Sequence, residues 1–230
     1  MKVLDLYRKE CAASPAYARV VPFVIFLIIT ILGGWLGGPF QYWFYALKVF
    51  VGAWLIWEMR AFVPEMRWAM SWEAVAVGIG VFVMWVGIDP YYPKINLFWV
   101  DTEESIWNPF KQYGEGSGFA WAFICIRIAG MTLVVPPLEE VFFRSLVYRY
   151  LIRYEFLAVP LNQLHWTALL VTSLIFASEH FQWLAGILCG LAYQWLVLRK
   201  NRLGDAMTAH GITNFLLGIY VYSTGDWKFW

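Results

Sequence analysis

The chain has 230 residues, of which 61% are hydrophobic and 14% charged, with a formal net charge of +1. Soluble domains carry about 25% charged and roughly 45–50% apolar residues, so the composition excludes an ordinary soluble domain. The near-neutral balance, without a long basic run, points to no nucleic-acid or acidic partner.

The apolar residues fall in blocks of about 17–20, the length that crosses a hydrocarbon core about 30 Å thick. The first block, Val20–Leu36, follows a basic region with Lys2, Arg8, Lys9 and Arg19. No small-x-small cleavage site follows it, so it reads as a retained helix rather than a signal peptide. Phe40–Trp57 and Trp72–Ile88 come next. The connection Asp89–Gly118 is acidic, with Asp89, Asp101, Glu103, Glu104 and Glu115 against Lys94 and Lys111. It reads as a surface connection, with substrate contact as the alternative.

Phe119–Val135 is apolar but carries Arg127, expected either to pair with Glu139, Glu140 or Glu179 or to line a cavity. Pro136 and Pro137 should break or kink the helix after it. Glu139–Tyr154 mixes Arg144, Arg149 and Arg153 with apolar residues, as an amphipathic or partly inserted helix does. Leu164–Phe181, Leu184–Leu198 and Ala206–Tyr222 complete the apolar set. Each block must satisfy its own backbone in lipid, so each is predicted to be a helix. Aromatics make up 20% of the chain, including 15 Trp, which suits helix ends at membrane interfaces. Cys11, Cys125 and Cys189 form no CxxC pair and read as small hydrophobes.

Charge asymmetry sets the count of crossings. If Phe119–Tyr154 makes one kinked crossing, the N-terminal tail, Arg149/Arg153 and the Arg199–Arg202 loop all fall on the cytoplasmic side. That gives seven crossings with the N-terminus inside; a separate crossing by Glu139–Tyr154 makes eight. The expected fold is an all-α polytopic membrane bundle in the cell membrane. It forms a single domain over 1–230, with N-terminal spans and a loop in 1–118 and core helices in 119–222. No internal repeat is seen.

Ionisable groups in membrane helices are expensive and default to functional hypotheses. They cluster here in three places. In Glu139-Glu140-Val141-Phe142-Phe143-Arg144, Glu140 and Arg144 are four apart and share a helix face, fit for an ion pair. Glu139 sits about 100° away and stays available as a general base. Phe176-Ala177-Ser178-Glu179-His180 follows near a helix end, with Glu179 read as structural. His210-Gly211-Ile212-Thr213-Asn214 again places two polar groups four apart. His165, at a helix start beside Trp166, reads as interfacial. For His180 and His210 to share a site, the helix carrying His180 must be broken, short or tilted.

This ordered triplet, Glu-Glu-x-x-x-Arg, Phe-x-x-x-His and His-x-x-x-Asn, resembles the CPBP (Abi) family of intramembrane proteases, which includes the Ras-converting CAAX endopeptidases. The similarity covers about Val134–Leu217. It implies hydrolysis of a peptide bond in a membrane-associated protein or peptide. By resemblance Glu139 activates water with His180, His210 and Asn214 face the oxyanion, and Glu140, Arg144 and Phe176 support them. The chemistry implied is either glutamate-type with no cofactor, the reading preferred without an HExxH, or zinc held by Glu139, His180 and His210. The competing readings are a non-enzymatic immunity or scaffold factor and a proton-coupled transporter, for which the paired half-helices are not found.

Overall fold

In the computed structural model, which describes residues 3–94 and 107–230, every predicted apolar block is helical to within about one turn. In chain order the helices are α1 (Val3–Ala13), α2 (Tyr17–Leu36), α3 (Phe40–Met59), α4 (Trp72–Ile88), α5 (Pro109–Tyr113), α6 (Gly118–Leu133), α7 (Val135–Glu140), α8 (Tyr148–Ile152), α9 (Trp166–Ala177), α10 (Trp183–Lys200) and α11 (Gly204–Thr224). A π-helical segment, Val141–Val147, joins α7 to α8. No strand occurs among the described residues. Asp101, Glu103 and Glu104 of the acidic connection lie outside the described residues, as does Lys2.

Three stretches are long and apolar enough to cross a membrane: Tyr17–Leu36, Trp72–Tyr91 and Gly118–Ile152. Helix α9 is apolar but has 12 residues, about 18 Å, against a core of about 30 Å. Among the described residues, length and composition alone thus pick out three crossings of the expected seven or eight. The short α9 also meets the condition set above for His180: the helix stops at Ala177, and residues 178–182 are non-helical before α10 starts.

The break expected at the prolines is present. Pro136 and Pro137 lie inside α7, and the one-residue interruption falls on Val134 just ahead of them. Proline fits the first turn of a helix, where its missing N–H has no intrahelical acceptor. The helix is therefore interrupted before the prolines and restarts with them in its first turn.

The chain forms two compact units. The first comprises Met1–Phe62, Asp101–Leu138 and Asn214–Trp230. Helices α2 and α3 make a hairpin turned by Gly37 and Gly38, whose φ values of +59° and +50° suit residues without a Cβ. Tyr42, Tyr45, Trp107, Phe123 and Ile124 form a buried cluster. Trp107 is only 5% exposed, so this end of the acidic connection is core rather than surface. Arg127 finds its partners here. Its guanidinium lies 4.4 Å from the Trp107 ring centroid, 4.7 Å from Tyr45 and 5.3 Å from Trp230. Among the described residues no carboxylate is within ion-pair reach, which corrects the expected pairing with Glu139, Glu140 or Glu179. A helix-centre arginine costs about 2.5–3.5 kcal/mol in a bilayer, and ring contacts at about 0.5–2 kcal/mol each offset much of it. Amphipathic α1, missed by the apolar pattern, is tied by Arg8 to Glu58 at 2.8 and 3.1 Å.

The second unit comprises Val63–Val100 and Glu139–Thr213. Ser71 caps α4 by accepting from the Ala74 N–H at 3.3 Å. His165 caps α9 in the same way, its Nδ1 accepting from Ala168 at 3.2 Å, which gives the residue read as interfacial a local structural task. Basic residues that the charge asymmetry assigns to the cytoplasmic side are paired with carboxylates. Arg149, 5% exposed, reaches Glu65 at 3.0 Å. Lys200 and Arg199 meet Glu73 at 2.6 and 3.6 Å. Helix α9 approaches α10 at Gly186 and Gly190, where a Cβ would stand 3.0–3.2 Å from Ala177 and Ser173. Cys11 and Cys189 are buried free thiols and Cys125 is exposed.

Helix α4 also meets α11 closely. A Cβ at Gly78 would stand 2.7 Å from the Ala209 carbonyl oxygen and 2.9 Å from Ile212 Cβ, whereas one at Gly80 meets nothing within 4 Å. Overpacking costs about 1–3 kcal/mol. Gly78→Val is therefore expected to lower the melting temperature in detergent by several degrees while Gly80→Ala leaves it near wild type; equal melting of the two variants contradicts this packing.

Candidate active site

The polar centre of the second unit is built around Glu140, 0% exposed, and Arg144, 1% exposed. Arg144 Nε lies 3.2 Å from Glu140 Oε2. The expected i,i+4 pair is thus present, although the helix carrying it passes from α into π geometry between the two residues. π-turns are rare and recur at functional sites. Arg144 has no aligned hydrogen bond among the described residues, but its guanidinium sits 4.4 Å from the Phe176 ring centroid. The charge faces one carboxylate and the rings of Phe176, Phe143 and Tyr193.

Glu140 also orients His210. Its Oε1 is 3.0 Å from His210 Nδ1. With Glu140 ionised, Nδ1–H donates, and in the neutral ring Nε2 then carries the free lone pair. The ring is fixed from its other side by Tyr193, stacked at 5.1 Å and 25°. The Tyr193 hydroxyl in turn donates to Thr213 at 2.8 Å.

Glu139 behaves as the helical-face argument predicts. It takes no part in the Glu140–Arg144 pair, and its buried Oε2 has no hydrogen-bond partner among the described residues. That oxygen lies 3.9 Å from His210 Nε2, beyond direct hydrogen-bond range but within the span of one bridging water.

His180 follows α9 in the non-helical turn. Its Nδ1 is 3.0 Å from the Phe176 carbonyl. A carbonyl only accepts, so Nδ1–H donates there and Nε2 is left bare. Phe176 ties the groups together: its ring is 4.9 Å from His180, 6.2 Å from His210 and 5.3 Å from Phe143. The charges bearing on Glu139 are those of His210, Glu179, Glu140 and Arg144. Glu179, read as structural, is thus among the charges that this centre feels. His180 feels His210 and Arg144.

The structure brings together Glu139, Glu140, Arg144, Phe176, His180 and His210. Asn214, one turn along α11, belongs to the first unit. There its side-chain N–H donates to the Met131 carbonyl at 2.7 Å, in the last turn of α6 ahead of the proline pair. One amide hydrogen of the NH2 group remains. Two neighbours escaped the sequence reading: Tyr193, and Trp85, which meets His180 edge-on at 5.3 Å. Neither carries a signal in an apolar helix beyond its size. Among the described residues no three His, Cys, Asp or Glu side chains converge as a metal-ligand set.

Residues 120–216 match the sequence model of the Rce1-like family, type II CAAX prenyl endopeptidases. The match bears out the resemblance carried by the three motifs, all of which lie inside the matched span. No curated protein and no solved structure matches significantly.

Removing one member of a buried ion pair costs about 3–5 kcal/mol because it strands the other charge. Arg144→Met is expected to show that loss in equilibrium unfolding, and the double variant Glu140→Gln/Arg144→Met to recover much of it. A single variant as stable as wild type would refute the pairing.

Proposed function

We propose that this protein is an intramembrane endopeptidase that hydrolyses a peptide bond of a membrane-associated protein or peptide. The observation that carries this reading is the partnerless Glu139 oxygen facing His210 Nε2 across 3.9 Å. One water between them gives a hydrogen to Glu139 and is held by His210. As Glu139 takes the proton, the oxygen adds to the scissile carbonyl carbon. The same proton then passes from Glu139 to the departing amine nitrogen as the C–N bond breaks. Water is thereby added across the amide, and Glu139 is returned to its starting state.

The remaining groups prepare this step. Glu140 and Arg144 hold each other and aim His210. His180 presents Nε2 to the same centre and helps to hold the water. The resemblance also gives His210 a part at the oxyanion, which requires a hydrogen on Nε2 in place of the lone pair that the neutral ring keeps there. The same resemblance gives the other donor's part to Asn214. An oxyanion donor contributes about 10²–10³ in rate and a positioned base about 10²–10⁴. The protein is integral to the cell membrane, with its N-terminus on the cytoplasmic side by the distribution of basic residues. Its substrate class, by the name of the matched family, is the prenylated CAAX terminus.

Glu139→Gln keeps the shape and removes the base. In vesicles, cleavage of a farnesylated CAAX peptide by this variant is expected to fall by about 10²–10⁴ at equal abundance and insertion. Undiminished cleavage ends the protease reading and favours the scaffold alternative.

We further propose that the reaction uses no resident metal. What supports this is that no three ligand side chains converge among the described residues. Activity is expected to survive thorough chelation, with zinc below stoichiometric in the purified protein. Stoichiometric zinc whose removal abolishes cleavage overturns this.

A further inference from the structure

The first unit contains a cavity of about 200 Å³ that the hydrolytic reading does not use. Its polar lining is Thr30 of α2, Gln41 and Lys48 of α3, and Arg127 of α6, with Tyr45 and Trp107 as its aromatic wall. We propose that this cavity is an oxyanion site that holds the phosphate of an anionic phospholipid.

Three observations carry the assignment. First, two cations converge. Lys48 Nζ is 4.4 Å and the Arg127 guanidinium 4.7 Å from the same Tyr45 ring centroid, so less than 10 Å separates them. Both line the same cavity. Second, Arg127 faces rings and no carboxylate among the described residues, so its fork of N–H donors, which suits a phosphate, is committed to none of their carboxylates. Thr30 already accepts from Lys48 at 3.2 Å, which holds the ammonium at the cavity wall. Third, the position suits a lipid. Helical side chains lean toward the helix N-terminus, so Lys48 reaches toward the Gly37–Pro39 turn, where the apolar run ends. The surface around that turn exposes Trp35, Leu36, Phe40 and Trp43, an apolar and aromatic rim for acyl chains and the interfacial layer.

The chemistry recognised is a phosphate oxyanion, and the two sources are a lipid headgroup and free phosphate. The full chain is purified in detergent, exchanged into phosphatidylglycerol or phosphatidylcholine, and weighed by native mass spectrometry; lipid-free protein is titrated with inorganic phosphate and followed by phosphorus NMR. One phosphatidylglycerol per chain is expected, retained at least tenfold better than phosphatidylcholine. Arg127→Gln and Lys48→Met should each lower that occupancy about tenfold. Arg127→Lys, which keeps the charge without the fork, should fall between. Lys48→Met gives the reading if Arg127→Gln does not fold. Retention unchanged in the variants, or equal for the two lipids, overturns the site; saturation by inorganic phosphate at concentrations that displace phosphatidylglycerol overturns the lipid as its occupant.

Discussion

A carboxylate and a guanidinium removed almost completely from solvent persist only because each offsets the other's desolvation. Glu140 and Arg144 stand in that relation, at 0% and 1% exposure, and the polar centre of the second unit hangs on it. The arginine draws Phe176 onto its face. The glutamate spends one oxygen on the arginine and the other on His210, which decides the tautomer of that ring. Glu139, outside this pair, is left with an oxygen that has no hydrogen-bond partner among the described residues. Two neighbouring carboxylates thus take opposite duties, and the division follows from which face of one helix each occupies.

The same economy governs the other charges. Glu73 collects Arg199 and Lys200 at one end of the second unit, and Glu65 collects Arg149 with Ser145. Arg127 does without a carboxylate among the described residues and leans on three rings instead. Aromatic faces serve here as partners for cations at places where a carboxylate would itself need neutralising.

What could be read from the chain was what obeys a helical period. The apolar blocks gave the helices because lipid leaves the backbone no other partner. Glu140 and Arg144 meet because four residues make about one turn, and the same arithmetic separates Glu139 from them. Relations across the fold were closed to that reasoning. Nothing in the apolar pattern marks Arg149 as buried against Glu65, 84 positions away, or Tyr193 and Trp85 as the walls of two imidazoles. The π segment is likewise silent, since its residues are ordinary helix formers and its wider turn answers to packing. Pro136 and Pro137 were read as a break or kink, and the interruption falls at Val134 just before them; they stand in the first turn of the next helix, where a missing N–H is harmless.

Helix α9 stops after 12 residues, and the chain runs from Ser178 to Gln182 before another helix begins. Backbone amides and carbonyls released from a helix at membrane depth must face protein or moisture, never hydrocarbon. The amides of Ser178, Glu179 and His180 meet this demand within the protein, paired with the carbonyls of Leu174, Phe176 and Ala177. The break therefore lets the His180 imidazole stand off the end of its helix while the main chain that carries it stays satisfied.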